Sequence, residues 1–552
     1  MAVNISGIIS VIVFYLLILA VGLWAGRKTK KATTGGTSES DAQLLAGRNI
    51  GLFVGSFTMT ELNQVFPAQA QDTDGIGENQ RHVGGLQASI TLKYRLKRSE
   101  TIKRQGFAYI AFRYGNTGGL FFAKKMHSAG YVTMLDPLCI KYGRIMAGLL
   151  FIPALLGELF WSAAILKALG ATLAVILSLD QRVSVIISAC IAIFYTFFGG
   201  LYSVAYTDVV QLICMFIGLV CGTLWRHSAS IAVTAANPAT SWYGTLEWKW
   251  AGVWVDYALH LIFGGIPWQA SQPCTSNALR GSRTANTGDA AVIIDWNATS
   301  YPGEIPIPDA DKSLILPIVM QYLTPAWVSF FGLGAVSAAV MSSADSSCLS
   351  VASLFANNIV SVIWVAITKR DLPAVGLVWT VRGGIVAAGV LAMAIGLSVD
   401  SIYGLFHLCS DLVYVMLFPQ LVAALYIPFS NTYGSILGYA VGLFLRLGGG
   451  EDLINLKPII FYPHYNTEDG QLFPFHTLSM GAGMIALVLG SLLAHVIFTR
   501  GILPADYDVL GCYQKADTLA YYKEEKLQMG YVSNGLLTTD DRPVGDAGDT
   551  KE

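Results

Sequence analysis

The run Ala339-Val340-Met341-Ser342-Ser343-Ala344-Asp345-Ser346-Ser347 sets four hydroxyls and a carboxylate inside an otherwise apolar stretch. Hard oxygens at that density suit a small cation such as Na⁺. At helical spacing Ser342 and Ser346 share a face, and Ala339 stands one turn before Ser343. A second use is equally consistent with the composition: serine hydroxyls in apolar helices often bond back to the carbonyl one turn earlier. Aromatic residues give another lead. Trp161, in Gly157-Glu158-Leu159-Phe160-Trp161, falls midway along an apolar run rather than at the interfacial belt where Trp usually anchors. Trp268 follows Gly264-Gly265-Ile266-Pro267, where Gly and Pro interrupt a helix and open its backbone to a cavity. Trp faces at membrane depth suit a quaternary ammonium ligand, through cation–π attraction of up to about 2 kcal/mol when desolvated. Core packing is the commoner fate of any one buried Trp.

The elements that must position these residues are membrane helices. Of 552 residues, 54% are hydrophobic and 13% charged, with a mean hydropathy of +0.53. A soluble domain carries about 25% charged residues, so this chain lacks the means to cover itself with water. Thirty-five Lys plus Arg against thirty-six Asp plus Glu leave a net charge of −1, which gives no basic field for nucleic acid. The eight Cys never form C-x-x-C, and H-E-x-x-H, G-x-S-x-G, G-K-[ST] and G-x-G-x-x-G are all absent from the sequence. A zinc ribbon, a hydrolase, an ATP-driven pump and a dinucleotide enzyme are therefore disfavoured, and no enzymatic activity is expected.

A membrane helix needs about 20 apolar residues. The first candidate runs from about Gly7 to Gly26 and is followed at once by Arg27, Lys28, Lys30 and Lys31. The positive-inside rule then puts the N-terminus outside. Further spans are expected at about 145–177, 183–199, 203–224, 251–268, 314–358, 378–397, 402–427, 433–447 and 477–498. The stretch 314–358 exceeds one crossing and is expected to include an extra-membrane helix. Gly434-x-x-x-Gly438-x-x-x-Gly442 offers a small-residue face for close helix packing. Residues 1–498 form the transporter domain on this reading, and 499–552 a disordered cytoplasmic tail.

Two stretches do not fit. Residues 61–115 hold eight Lys/Arg and five Asp/Glu, and residues 269–311 are equally polar and contain the sequon Asn297-Ala298-Thr299, which would lie outside. Lys369-Arg370 reads as cytoplasmic, like Arg27–Lys31, so an even number of spans should separate them, yet five stand out. Ionisable groups within spans default to functional roles; the candidates are Glu158, Asp208, Asp345 and Asp411. Lys167, Arg382 and Arg446, nearer helix ends, are expected to snorkel to the interface.

Long runs of this sequence carry a resemblance. Phe57-Thr58-Met59-Thr60, Gly130-Tyr131-Val132-Thr133-Met134-Leu135-Asp136-Pro137, the stretch from Gly199 to Asp208, Gly264-Gly265-Ile266-Pro267-Trp268-Gln269, the stretch from Phe331 to Ser347, Ser410-Asp411-Leu412-Val413-Tyr414 and Leu443-Phe444-Leu445-Arg446 closely resemble the choline-carrying branch of the sodium/solute symporter family. The resemblance covers most of the chain outside 61–115, 225–250, 269–292 and the tail.

It implies an all-α polytopic membrane protein with a five-plus-five inverted-repeat fold and thirteen helices in the family, fewer of them intact here. Substrate and ions would sit at broken helices near the midplane. By the resemblance Ala339, Ser342 and Ser343 match the principal sodium site, and Asp208, Asp345 and Ser346 fall where some relatives place a second sodium. Trp161 and Trp268 match walls of a choline cage. The implied activity is sodium-driven, chloride-dependent choline uptake supplying acetylcholine synthesis, with Na⁺ and Cl⁻ as coupling ions and no cofactor. The implied setting is the plasma membrane, in presynaptic and synaptic-vesicle membranes, among membrane lipid, with Asn297 glycosylated and room for a homo-oligomer.

The sequence departs from the family in two places. Where the family continues after Thr60 with a Trp- and Gly-rich unwound segment, this chain has Glu61-Leu62-Asn63-Gln64-Val65-Phe66-Pro67. After Gln269 the family has a whole span, whereas here Ser271–Ala290 leads straight to the sequon. Segments 61–117 and 270–292 read as translated intron and lost exon. Two alternatives follow: a sodium-coupled symporter of another small solute, or a family member made transport-inactive by those segments.

Overall fold

The computed structural model describes residues 134–226, 248–267 except 265, and 314–513 except a few single positions, together with scattered residues of the first 24 and positions 122 and 125. Every regular element among the described residues is helical, because an apolar backbone in a membrane must satisfy its own hydrogen bonds. The chain forms α1 (Asp136–Leu177), α2 (Gln181–Arg226), α3 (Ala251–Gly264), α4 (Ile315–Tyr322) and α5 (Ala326–Phe355). A π turn, Ala356–Val360, joins α5 to α6 (Ser361–Thr368). Then come α7 (Ala374–Ser398), α8 (Ile402–Leu412), α9 (Phe418–Tyr426), α10 (Thr432–Gly448) and α11 (Phe475–Thr499). Six helical stretches among the described residues are long and apolar enough to cross a membrane.

Local chemistry sets the ends. Pro325 and Pro373 precede α5 and α7, where a missing N–H costs nothing. Ser401 and Asn431 cap α8 and α10 by accepting the N–H of Gly404 and Gly434. The expected break after 251 is present: α3 stops at Gly264 and a turn carries Ile266 and Pro267. The stretch 314–358 divides at Pro325 into the short α4 and the long α5, which continues through the π turn.

Three expectations need correction. Spans at 183–199 and 203–224 are one continuous helix, α2; Gly199-Gly200 weakens a helix by only about 1 kcal/mol per residue and does not stop this one. The apolar crossing within it is Gln181–Phe198. Lys167 and Arg446 do not snorkel. Lys167 is buried and donates to the carbonyls of Gly396 and Val399 at the end of α7, at 3.3 and 2.6 Å. Arg446 is 3% exposed and paired. Part of the tail beyond 499 packs on the helices: Tyr433 donates to Asp508 at 2.8 Å, Asn431 Nδ2 donates to the Tyr513 hydroxyl at 2.8 Å, and the Tyr513 ring stacks on Phe498.

α5 lies at the centre of the described bundle, packed on α1, α2 and α7, with α8 against the far side of α1. The main apolar core joins Trp161, Ile165 and Leu169 of α1 to Val340 and Ala344 of α5 and Phe406 of α8. α10 and α11 meet along Gly434, Gly438 and Gly442, as the small-residue face predicts; a Cβ on Gly438 would stand 2.6 Å from the carbonyl oxygen of Gly483.

Candidate ion and substrate site

The oxygen-rich face of α5 is turned inward. Ala339, Ser342, Ser343 and Asp345 are at most 1% exposed, and Ser346 is half-buried. Burying a carboxylate is expensive unless partners compensate it, and α2 supplies them. Ser342 donates its hydroxyl to Oδ1 of Asp208 at 2.7 Å, and Thr196 donates to Oδ1 of Asp345 at 3.2 Å. Oδ2 of Asp345 is buried and takes no hydrogen bond among the described residues. The α5–α2 interface thus carries two carboxylates, each accepting from a hydroxyl of the other helix.

The two uses open to the serines separate here. On α1 and α2, Thr172, Ser184 and Ser188 bond back to carbonyls four residues earlier, and Ser162 and Thr196 do so while also meeting side chains of α5. On α5, Ser342, Ser347 and Ser350 instead reach across to neighbouring helices. Ser347 lies 2.5 Å from the hydroxyl of Ser162 and donates to the main-chain oxygen of Glu158 at 3.4 Å, while Ser350 donates to Oε1 of Glu158 at 2.9 Å. Thr196, Ser350 and Ser162 were not singled out by sequence. The signal available for each was a hydroxyl inside an apolar run, which many structural residues share.

Trp161 is 5% exposed and its ring lies 5.5 Å from that of Phe406, so it is packed in this conformation. Phe406 begins an aromatic chain along α8. Tyr403 stacks parallel to Tyr257 of α3 at 6.3 Å, and His407 sits 4.5 Å from Tyr257, 4.6 Å from His260 and 5.4 Å from His476. Beneath it runs an ion network. Asp411, on α8, is held between the Nε of Arg446 and Nδ1 of His476, and Arg446 also pairs with Glu451 and donates to the carbonyl of Gly450. Asp256, on α3, accepts the N–H groups of His476 and Thr477 at 2.9 and 2.6 Å, satisfying orphan donors at the start of α11. Asp256, His260, His407 and His476 went unnoticed in the sequence because their partners lie on three separate helices. Trp268, Asn297 and the segments 61–117 and 270–292 lie outside the described residues.

Buried carboxylates and hydroxyls that converge between membrane helices are the equipment of an ion-coupled carrier. The chain belongs to the sodium:solute symporter family, whose sequence profile matches residues 102–241. It is 44% identical over 535 residues to high-affinity choline transporter 1 of Drosophila melanogaster, covering 92% of this chain and 82% of that one. It is also 44% identical over 544 residues to high affinity choline transporter 1 of Homo sapiens, covering 92% and 88%. The solved structure of a Na⁺-coupled sialic acid symporter, in a substrate-bound outward-open state, matches with a TM-score of 0.59 over 88% of this chain and 97% of that one. At 13% identity that likeness shows the fold, the all-α fold of sodium symporters. The protein is a multi-pass membrane symporter and not an enzyme.

Proposed function

We propose that this protein carries choline into the cell, driven by the sodium gradient. The observation that carries the ion half is Oδ2 of Asp345: a buried carboxylate oxygen that takes no hydrogen bond among the described residues, on the same helix as Ser342, which donates to Asp208. A Na⁺ ion supplies the charge that such an atom lacks, and hard oxygens are its preferred ligands. Ala339, Ser342 and Ser343 would hold the principal sodium, and Asp208, Asp345 and Ser346 a second. Trp161, with Trp268, would form the aromatic wall that takes the trimethylammonium group by cation–π attraction. The relatives named above, choline transporters 44% identical across most of the chain, support the substrate.

The finer reading includes chloride dependence, residence in the plasma membrane of cholinergic terminals and in synaptic vesicles, an extracellular N-terminus with a cytoplasmic C-terminus, and glycosylation at Asn297. The test is uptake of radiolabelled choline by expressing cells in Na⁺ against Li⁺ medium. Uptake in Na⁺ alone is expected, and equal uptake in both sinks the proposal. Replacing chloride by gluconate should lower the sodium-dependent part. A second reading rests on Glu61–Pro67, which stand where the family carries a Trp- and Gly-rich segment. Surface delivery and glycosylation without any sodium-dependent uptake would make this a transport-inactive member.

A further inference from the structure

Tyr15 is the single polar side chain of the first apolar helix, Ile12–Gly22, and it lies near the middle of the expected span. A Tyr in a membrane helix usually sits toward an end, where its hydroxyl reaches headgroups or water. Here the ring is half-buried, yet the hydroxyl oxygen is enclosed and makes no hydrogen bond among the described residues. The ring packs against one cluster that holds Ala338 and Met341 of α5 with Cys214 of α2, and against another that holds Leu173 of α1 with Leu333 of α5. Tyr15, Cys190, Ile191 and Met341 also line a cavity of about 350 Å³ between the first helix, α2 and α5. Asp345 follows Met341 by one turn on the same face of α5. Among the described residues, the charge that acts on the Tyr15 hydroxyl is that of Asp345.

Two buried polar atoms, Oη of Tyr15 and Oδ2 of Asp345, thus stand within electrostatic reach of each other, and neither has a hydrogen bond among the described residues. Enclosing such atoms unsatisfied is costly, most of all for a charged one. A small hard cation relieves both at once: it neutralises the carboxylate and accepts a lone pair of the phenol oxygen. The phenol keeps its proton, so it adds a ligand without adding charge. We infer that Tyr15 lends its hydroxyl as a ligand to the Na⁺ held at Asp345, so that the first helix closes this ion site from outside the α5–α2 pair. The inference rests on the reading of Asp345 as a sodium ligand. The cavity beside Met341 gives the ring room to turn toward the carboxylate, and ion binding then draws the first helix onto α2 and α5.

The test is binding of radioactive Na⁺ to the purified full-length chain without choline, at constant ionic strength set by N-methylglucamine. The native chain is compared with Tyr15→Phe, Asp345→Asn and the double variant. Tyr15→Phe keeps the ring and its packing and removes only the hydroxyl. Asp345→Asn should remove one bound Na⁺ or weaken it severely. Tyr15→Phe should raise the half-saturating concentration of that same ion about three- to tenfold, as loss of one neutral oxygen ligand implies. In the Asp345→Asn background it should add nothing, because both residues act through one ion. A hydroxyl with a purely structural role would shift both backgrounds alike. Should Tyr15→Phe prove less stable, the rise in melting temperature that Na⁺ gives within each chain carries the same comparison, and it should be smaller in Tyr15→Phe than in the native chain. A native binding curve in Tyr15→Phe, or an equal shift in both backgrounds, overturns the role of Tyr15 and leaves Asp345 a sodium ligand. A native curve in Asp345→Asn overturns the sodium reading of Asp345 and the role of Tyr15 with it.

Discussion

Ser342 donates its hydroxyl to Oδ1 of Asp208, 2.7 Å away, across the boundary between α5 and α2. By family resemblance these residues belong to different sodium sites. Here they share one hydrogen bond, so neither set of ligands is independent of the other. With its proton given to Asp208, the Ser342 oxygen keeps its lone pairs for a cation, and the carboxylate makes that oxygen a stronger ligand.

Asp208→Asn should accordingly weaken sodium at both sites. A hydrogen bond to a charged group contributes about 1.5–3 kcal/mol, so the half-saturating Na⁺ concentration for uptake should rise roughly 10- to 100-fold. Ser342→Ala should move it in the same direction, and the double variant should fall short of the sum because the two residues are in contact. Initial uptake rates across a Na⁺ series give the comparison. Strictly additive effects would show that the bond seen between them is not part of ion binding.

Trp161 offers a test of the aromatic wall. Its contact with Phe406 at 5.5 Å survives replacement by Phe far better than by Ala. Trp161→Phe should retain most binding, while Trp161→Ala should raise the choline KM by up to about 30-fold, the equivalent of the roughly 2 kcal/mol that a desolvated cation–π contact supplies. If Trp161→Ala changes protein stability and leaves KM unaltered, the ring serves the core only.

What could be read from the sequence follows from the range of the forces involved. The helix stop at Gly264 depends on residues next to one another, so it was legible, as was the packing face from Gly434 to Gly442. Asp208 and Asp345 stood out because charge in an apolar run is rare. Thr196, the partner of Asp345, did not, since a hydroxyl inside a membrane helix can always bond to its own backbone, as Thr196 also does to Ala192. Arg446 was misread for a related reason. Near a helix end it has water within reach, and only the fold brings Asp411, thirty-five residues earlier, and Glu451 against its guanidinium.

The α10–α11 contact predicts a graded steric response. A Cβ at Gly438 would lie 2.6 Å from the Gly483 oxygen and 2.7 Å from Cβ of Leu487, whereas one at Gly481 would meet nothing within 4 Å. Gly438→Val should cost about 1–3 kcal/mol by overpacking and lower the melting temperature in detergent. Gly481→Ala should be neutral or slightly stabilising, because it improves helix propensity at no steric cost. Equal effects of the two would mean the helices do not pack on this face.

Arg446 sits between two carboxylates, Asp411 and Glu451, and is almost wholly buried. Removing one partner of a buried ion pair leaves an uncompensated charge, a penalty of about 3–5 kcal/mol. Arg446→Met keeps the length of the apolar stem and strands Asp411 beside His476, so it should lower the melting temperature and surface expression sharply. Arg446→Lys should rescue only in part, since a single ammonium cannot reproduce two guanidinium edges directed at two acids and a third N–H on the Gly450 carbonyl. Pairing Arg446→Met with Asp411→Leu should recover stability relative to Arg446→Met alone, because the buried anion leaves with its cation. Thermal melting of the purified full-length variants orders the four chains. A double variant no more stable than Arg446→Met would show that the loss comes from packing around the guanidinium rather than from the stranded charge.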